Sequence, residues 1–69
     1  MNIELFEAII FDPSCGTVQA PLCRFNGGEL LRVNGGGKPY RIISVEPMCE
    51  ARAVQVMPLA RSLLWGSVA

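Results

Sequence analysis

The sequence predicts an all-β protein: a small antiparallel barrel of four to five short strands with a C-terminal helical turn. Three observations carry that expectation. Short runs rich in β-branched and aromatic residues recur along the chain, most clearly in Pro39–Glu46, PYRIISVE. Turn signals punctuate them, at Asp12-Pro13-Ser14-Cys15-Gly16, at Asn26-Gly27-Gly28 and at Asn34-Gly35-Gly36-Gly37. The chain has 69 residues, room for one small domain spanning residues 1–69.

The elements follow in order. In the first run, NIELFEAIIFDP, two templates compete. Ile3, Leu5, Ile9 and Phe11 alternate as a strand would, with Glu7 breaking the pattern, while Leu5, Phe6, Ile9 and Ile10 fit a helical stripe. The β-branched and aromatic content favours the strand. Thr17–Phe25 is the second strand, with Pro21 removing a backbone donor and so belonging on an edge or at a break. Glu29–Val33 makes a short strand between the two glycine turns, and PYRIISVE the next. Arg52–Pro58 reads as the last strand, with Val54 and Val56 on one face and Ala53, Gln55 and Met57 on the other. PLARSLLW then reads as one or two helical turns, with Pro58 near its start and Gly66 just past its end. An SH3-like barrel matches this size and strand count.

The stretch Gly35-Gly36-Gly37-Lys38 invites comparison with a phosphate-binding loop. Such a loop needs an outer glycine, a hydroxyl residue after the lysine and a helix whose N-terminus faces the phosphate. Here Pro39 follows the lysine and a β-branched strand comes next. The glycines therefore read as a chain reversal between strands, where positive φ is required.

Composition excludes several classes of function. Six basic and six acidic residues cancel, and histidine is absent. A neutral chain lacks the electrostatic footprint of a nucleic-acid binder, and no polybasic run marks an anionic membrane surface. No apolar segment is long enough to cross a bilayer. The start, Met-Asn-Ile-Glu-Leu, has no basic region before an apolar stretch, which makes a cytoplasmic setting the expectation. Cys15, Cys23 and Cys49 match no metal-binding spacing and have no histidine to complete a zinc site. They read as reduced, partly buried small hydrophobes, although Cys15 and Cys23 could face each other across a hairpin.

Catalysis finds little to work with. The usual base near neutral pH is missing, and Glu4, Glu7, Asp12, Glu29, Glu46 and Glu50 form no motif. Arg24, Arg32, Arg41, Arg52 and Arg61 are spread about one per element, unlike a phosphate-binding cluster. The hydrophobic share, by contrast, is 51% against 17% charged, more apolar material than a small core hides. Self-association follows as the expectation. Gln55 and Met57, the C-terminal Leu63, Leu64 and Trp65, and the amphipathic Tyr40 are the candidate interaction surface. The competing expectation is that the C-terminal turn caps its own barrel in a monomer.

One local stretch adds to this reading. Val54–Ala60, VQVMPLA, resembles the Val-Gln-Ile-Tyr-Pro-Val-Ala segment of the plasmid-borne type II dihydrofolate reductases, with Met57 standing where that family has tyrosine. Upstream, GELLRVNGGGKPYRIISV is similar in outline to the family's strand, small-residue turn and following strand. The resemblance implies an SH3-like barrel in a homotetramer, with NADPH and dihydrofolate in a central pore lined here by Val54, Gln55 and Val56. The residues themselves point to a small non-enzymatic interaction module that self-associates, and its size and neutral, apolar-rich character fit a phage, plasmid or gene-cassette product acting on a host protein. A pore-type, NADPH-binding reductase is the alternative.

Overall fold

Asp12-Pro13-Ser14-Cys15-Gly16 reverses the chain tightly. The Cys15 amide donates to the Asp12 carbonyl at 3.1 Å, and Gly16 takes a φ of 86°, where a side chain would be strained. This turn joins β1, Ile3–Asp12, to β2, Gly16–Phe25, in the computed structural model, which describes residues 2–34 and 39–66, with side chains as far as residue 64. The two ten-residue strands are antiparallel and in unbroken register, from Ile3 opposite Phe25 to Asp12 opposite Gly16. At the open end the Asn26 amide donates to the Asn2 carbonyl at 2.8 Å, and the Asn2 amide donates to Asn26 Oδ1 at 3.0 Å. Of the two templates for the first run, the strand is the one that forms.

The remaining strands flank this hairpin. Asn26 and Gly27 both have positive φ, 54° and 73°, and turn the chain back beside β2. The strand expected over Glu29–Val33 shrinks to β3, Leu31–Arg32, paired with Leu22 and Cys23. The second glycine turn, Gly35–Lys38, lies outside the described residues. β4, Arg41–Pro47, runs antiparallel to the other side of β1, giving the order β3-β2-β1-β4. A bulge interrupts that ladder, since Ile9 faces Ser44 while Ile10 faces Ile42, leaving Ile43 extra. Pro21 sits inside β2, which is an interior strand rather than the expected edge or break. It is tolerated because its carbonyl accepts from the Val33 amide, so its nitrogen faces the β3 side, beyond the end of that short strand, and takes no donor from the β1 ladder.

The last element corrects the sequence reading. Arg52–Pro58 is not a strand, and the C-terminal helix is no mere turn: α1 runs from Glu50 to Gly66, 17 residues with Pro58 inside it. Glu50-Ala-Arg-Ala are strong helix formers, and Glu50 lies in the first turn, where the helix dipole favours an anion. Val56 and Ala60, four residues apart, turn inward, and Ala53 and Met57 are half-buried beside them. Pro58 faces outward and is exposed. That proline removes only the bond to the Val54 carbonyl, on a side open to water.

Two buried clusters lie on opposite faces of the sheet. Ala8, Ile10, Ala20 and Leu22 form one, with Phe6, Val18, Leu30 and Tyr40 packed around them. Cys23, Val33, Val56 and Ala60 form the other, where α1 lies over Ile3, Leu5, Phe25 and Met48. The fold is thus a mostly antiparallel four-stranded sheet with one helix. β3 and β4 are its two edges, and no pairing joins them into a closed barrel among the described residues.

Candidate functional site

Besides Phe11 on β1 and Leu31 on β3, exposed apolar side chains gather on two surfaces. The first is the outer stripe of α1. Glu50, Ala53, Val54, Met57, Pro58 and Arg61 line a shallow apolar groove there, with an acid at one end and a base at the other. Val54 in the middle of this stripe is 72% exposed, and Leu59 and Leu63 are also exposed. The second surface is β4, where every residue is exposed; Ile42, Ile43 and Val45 carry its apolar side chains.

Ion pairs tie the frame behind these surfaces together. Arg24 grips Glu4, directly opposite it in the register, through Nε to Oε1 at 2.8 Å and Nη2 to Oε2 at 3.0 Å, and stacks over the Phe6 ring. The hydrogen bond from Arg24 holds the Glu4 carboxyl below its usual range. Asp12 is buried at the hairpin turn. Its Oδ1 accepts from the Ser14 hydroxyl at 2.6 Å and the Ser14 amide at 2.9 Å, and its Oδ2 accepts from Arg32 Nη1 at 2.9 Å. The Ser14 bonds, then Arg32, hold this carboxyl well below the ordinary carboxylate range. The Arg32 guanidinium also lies 5.9 Å from the Tyr40 ring centre, and its buried Nε finds no acceptor among the described residues. Arg52 ties α1 to the sheet by donating to Glu7 Oε1 at 2.8 Å, while Gln19 donates to Glu7 Oε2 at 3.3 Å.

The residues singled out from the sequence disperse over these features. Met57 lines the α1 groove, Gln55 and Leu63 are exposed, and Leu64 is half-buried. The Trp65 side chain lies outside the described residues. Tyr40 is half-buried, packed beside the Ile10 cluster under Arg32 and away from the α1 groove. Val54, Gln55 and Val56 are consecutive helical residues and point in different directions. Val56 is 1% exposed in the core, against 72% for Val54. The strand on which a shared pore lining would depend is absent here. Cys15 and Cys23 are both free. Cys15 lies in the turn just before β2 and Cys23 near that strand's far end, roughly 25 Å along an extended chain and far beyond disulfide reach. Cys23 is buried, and burial pushes its thiol up.

Among the described residues no group of three or more His, Cys, Asp or Glu side chains is placed to hold a metal ion, and no helix is long and apolar enough to cross a membrane. The residues missed by sequence reasoning are Ile42, Ile43 and Val45. Their signal was present in PYRIISVE, but an edge position is fixed only by the strand order. The class defined by this fold is a small antiparallel sheet with one covering helix and two exposed apolar surfaces. Comparison with family models, with curated proteins and with solved structures finds no match.

Proposed function

We propose that this chain is a small, non-enzymatic interaction module that associates with copies of itself. The observation that supports it is Val54, 72% exposed at the centre of the α1 groove and flanked by Met57 and Pro58. Covering a branched apolar side chain fully contributes about 1.5–3 kcal/mol, which offsets part of the cost of bringing two chains together. A cytoplasmic setting with three reduced thiols belongs to the same reading.

Multi-angle light scattering at micromolar concentration tests the proposal, with a dimer or larger species expected. A monomer mass sinks it. Calorimetric titration with NADPH and dihydrofolate is expected to give no heat of binding. Binding of both, with oxidation of NADPH, replaces the module by a pore-type reductase.

A further inference from the structure

β4 carries a charge pattern that its own molecule leaves unanswered. Arg41 stands opposite Phe11 in the β1 ladder, with no acid facing it. Glu46 stands opposite Glu7, a like charge that Arg52 and Gln19 already occupy. Carboxylates directly opposite each other repel. Among the described residues neither Arg41 nor Glu46 has an ion-pair partner.

The bulge decides which side chains share a face. In an unbroken strand, Arg41 and Glu46 lie on opposite faces, because their separation is odd. With Ile43 extra, Ile42 takes the face of Ile10, and Val45 takes the face of Ala8, which is the same one. Arg41 and Glu46 then share the other face, with Phe11 and Glu7. The outer edge of β4 therefore reads, from one end to the other, as base, apolar, centre, apolar, acid.

That edge is complementary to itself. We infer that β4 pairs antiparallel with β4 of a second copy about a two-fold axis between Ile43 and Ser44. The inference rests on the self-association proposed above and locates a contact for it on the second exposed surface, β4, apart from the α1 groove. In this register Arg41 of each chain meets Glu46 of the other, and Ile42 meets Val45, each contact made twice by symmetry. Backbone groups on either side of the bulge gain partners, with Ile43 and Ser44 at the axis out of step, and four exposed apolar side chains become two cross-strand pairs. The partner's Arg41 also supplies the cation that Glu46 lacks beside Glu7. Pairing of this register joins two four-stranded sheets into one of eight strands.

The experiment uses charge exchange between chains. Arg41→Glu sets an introduced acid against Glu46 twice, and Glu46→Arg sets an introduced base against Arg41 twice. Each variant alone is therefore expected to associate about tenfold or more weakly. Mixed together, the two variants form both pairs with correct signs, and association returns. A proximity readout accompanies it: Ser44→Cys, in a Cys15→Ser/Cys49→Ser background, is expected to form an intermolecular disulfide under mild oxidation. Circular dichroism confirms that each variant is folded, as exposed positions lead one to expect. A monomeric wild type overturns both the self-association and this contact. An oligomeric wild type that ignores Arg41→Glu and gives no Ser44→Cys cross-link overturns this contact alone. Weakening by both single variants without recovery on mixing also overturns it.

Discussion

The β1–β2 hairpin and helix α1 differ in how each is held. The hairpin matches ten residues to ten in one register, is flanked by β3 and β4 on its two outer sides and supplies most of the Ile10 cluster. α1 satisfies its own backbone too, but it reaches the sheet through one stripe, centred on Val56 and Ala60, and one ion pair from Arg52. The other side of the helix is apolar as well. A helix with apolar residues on both sides is only half used by its own domain, while the hairpin is used up. The contrast locates stability in the hairpin and availability in the helix.

Four substitutions break or sharpen that contrast. The largest effect is expected from Leu22→Ala, at a fully buried position of the hairpin core, which should cost about 2–5 kcal/mol in denaturant unfolding. Pro58→Ala acts on the helix in the opposite direction. Restoring the missing donor and relieving the ring should stabilise the protein by up to about 3 kcal/mol, seen as a higher melting temperature and more helical signal. No gain there means that the proline is needed for the path of α1.

The third is a pH effect at the hairpin turn. Ser14 and Arg32 lower the Asp12 carboxyl in the folded state, so the folded protein releases this proton more readily than the unfolded chain does. The resulting stabilisation is present above the unfolded value, near 3.9, and fades as pH falls below about 4. Asp12→Asn should therefore lower the melting temperature at neutral pH and flatten its decline between about pH 4 and 2. An unchanged acid limb in the variant assigns the acid sensitivity elsewhere. The smallest effect is expected from Arg52→Ala, which cuts the tie between helix and sheet. Its pair with Glu7 is half open to solvent, so the cost should be about 0.2–1 kcal/mol and should shrink further in high salt.

The same contrast explains what could be read from the sequence. The hairpin was legible because Asp12-Pro13-Ser14-Cys15-Gly16 is strong turn chemistry between two runs of β-forming residues. The helix was not. Val54, Gln55, Val56 and Met57 alternate as a strand does, and Pro58 looks like a boundary. The inward stripe at Val56 and Ala60 is masked by Val54 and Leu59, which are equally apolar but point out. Helix formers at Glu50–Ala53 were the available sign. Of the candidate surface, Gln55 and Leu63 lie in the open and Met57 is half-buried, whereas Tyr40 is held by Arg32 from eight positions earlier, a contact that no local pattern encodes. The edge position of β4 and its bulge depend on pairing with β1, some thirty residues away, and so lie beyond any local pattern.

The placement of the three thiols has a practical consequence. Cys15 and Cys49 stand in the open, while Cys23 lies beneath α1, against Val56 and Ala60. An alkylating reagent should therefore modify two sites at once and the third only when the helix lifts away. The slow phase of that labelling is a clock for undocking, already wired into the native chain. Its rate under native conditions, compared with the rate of global unfolding, tells whether α1 departs alone or only when the hairpin melts with it.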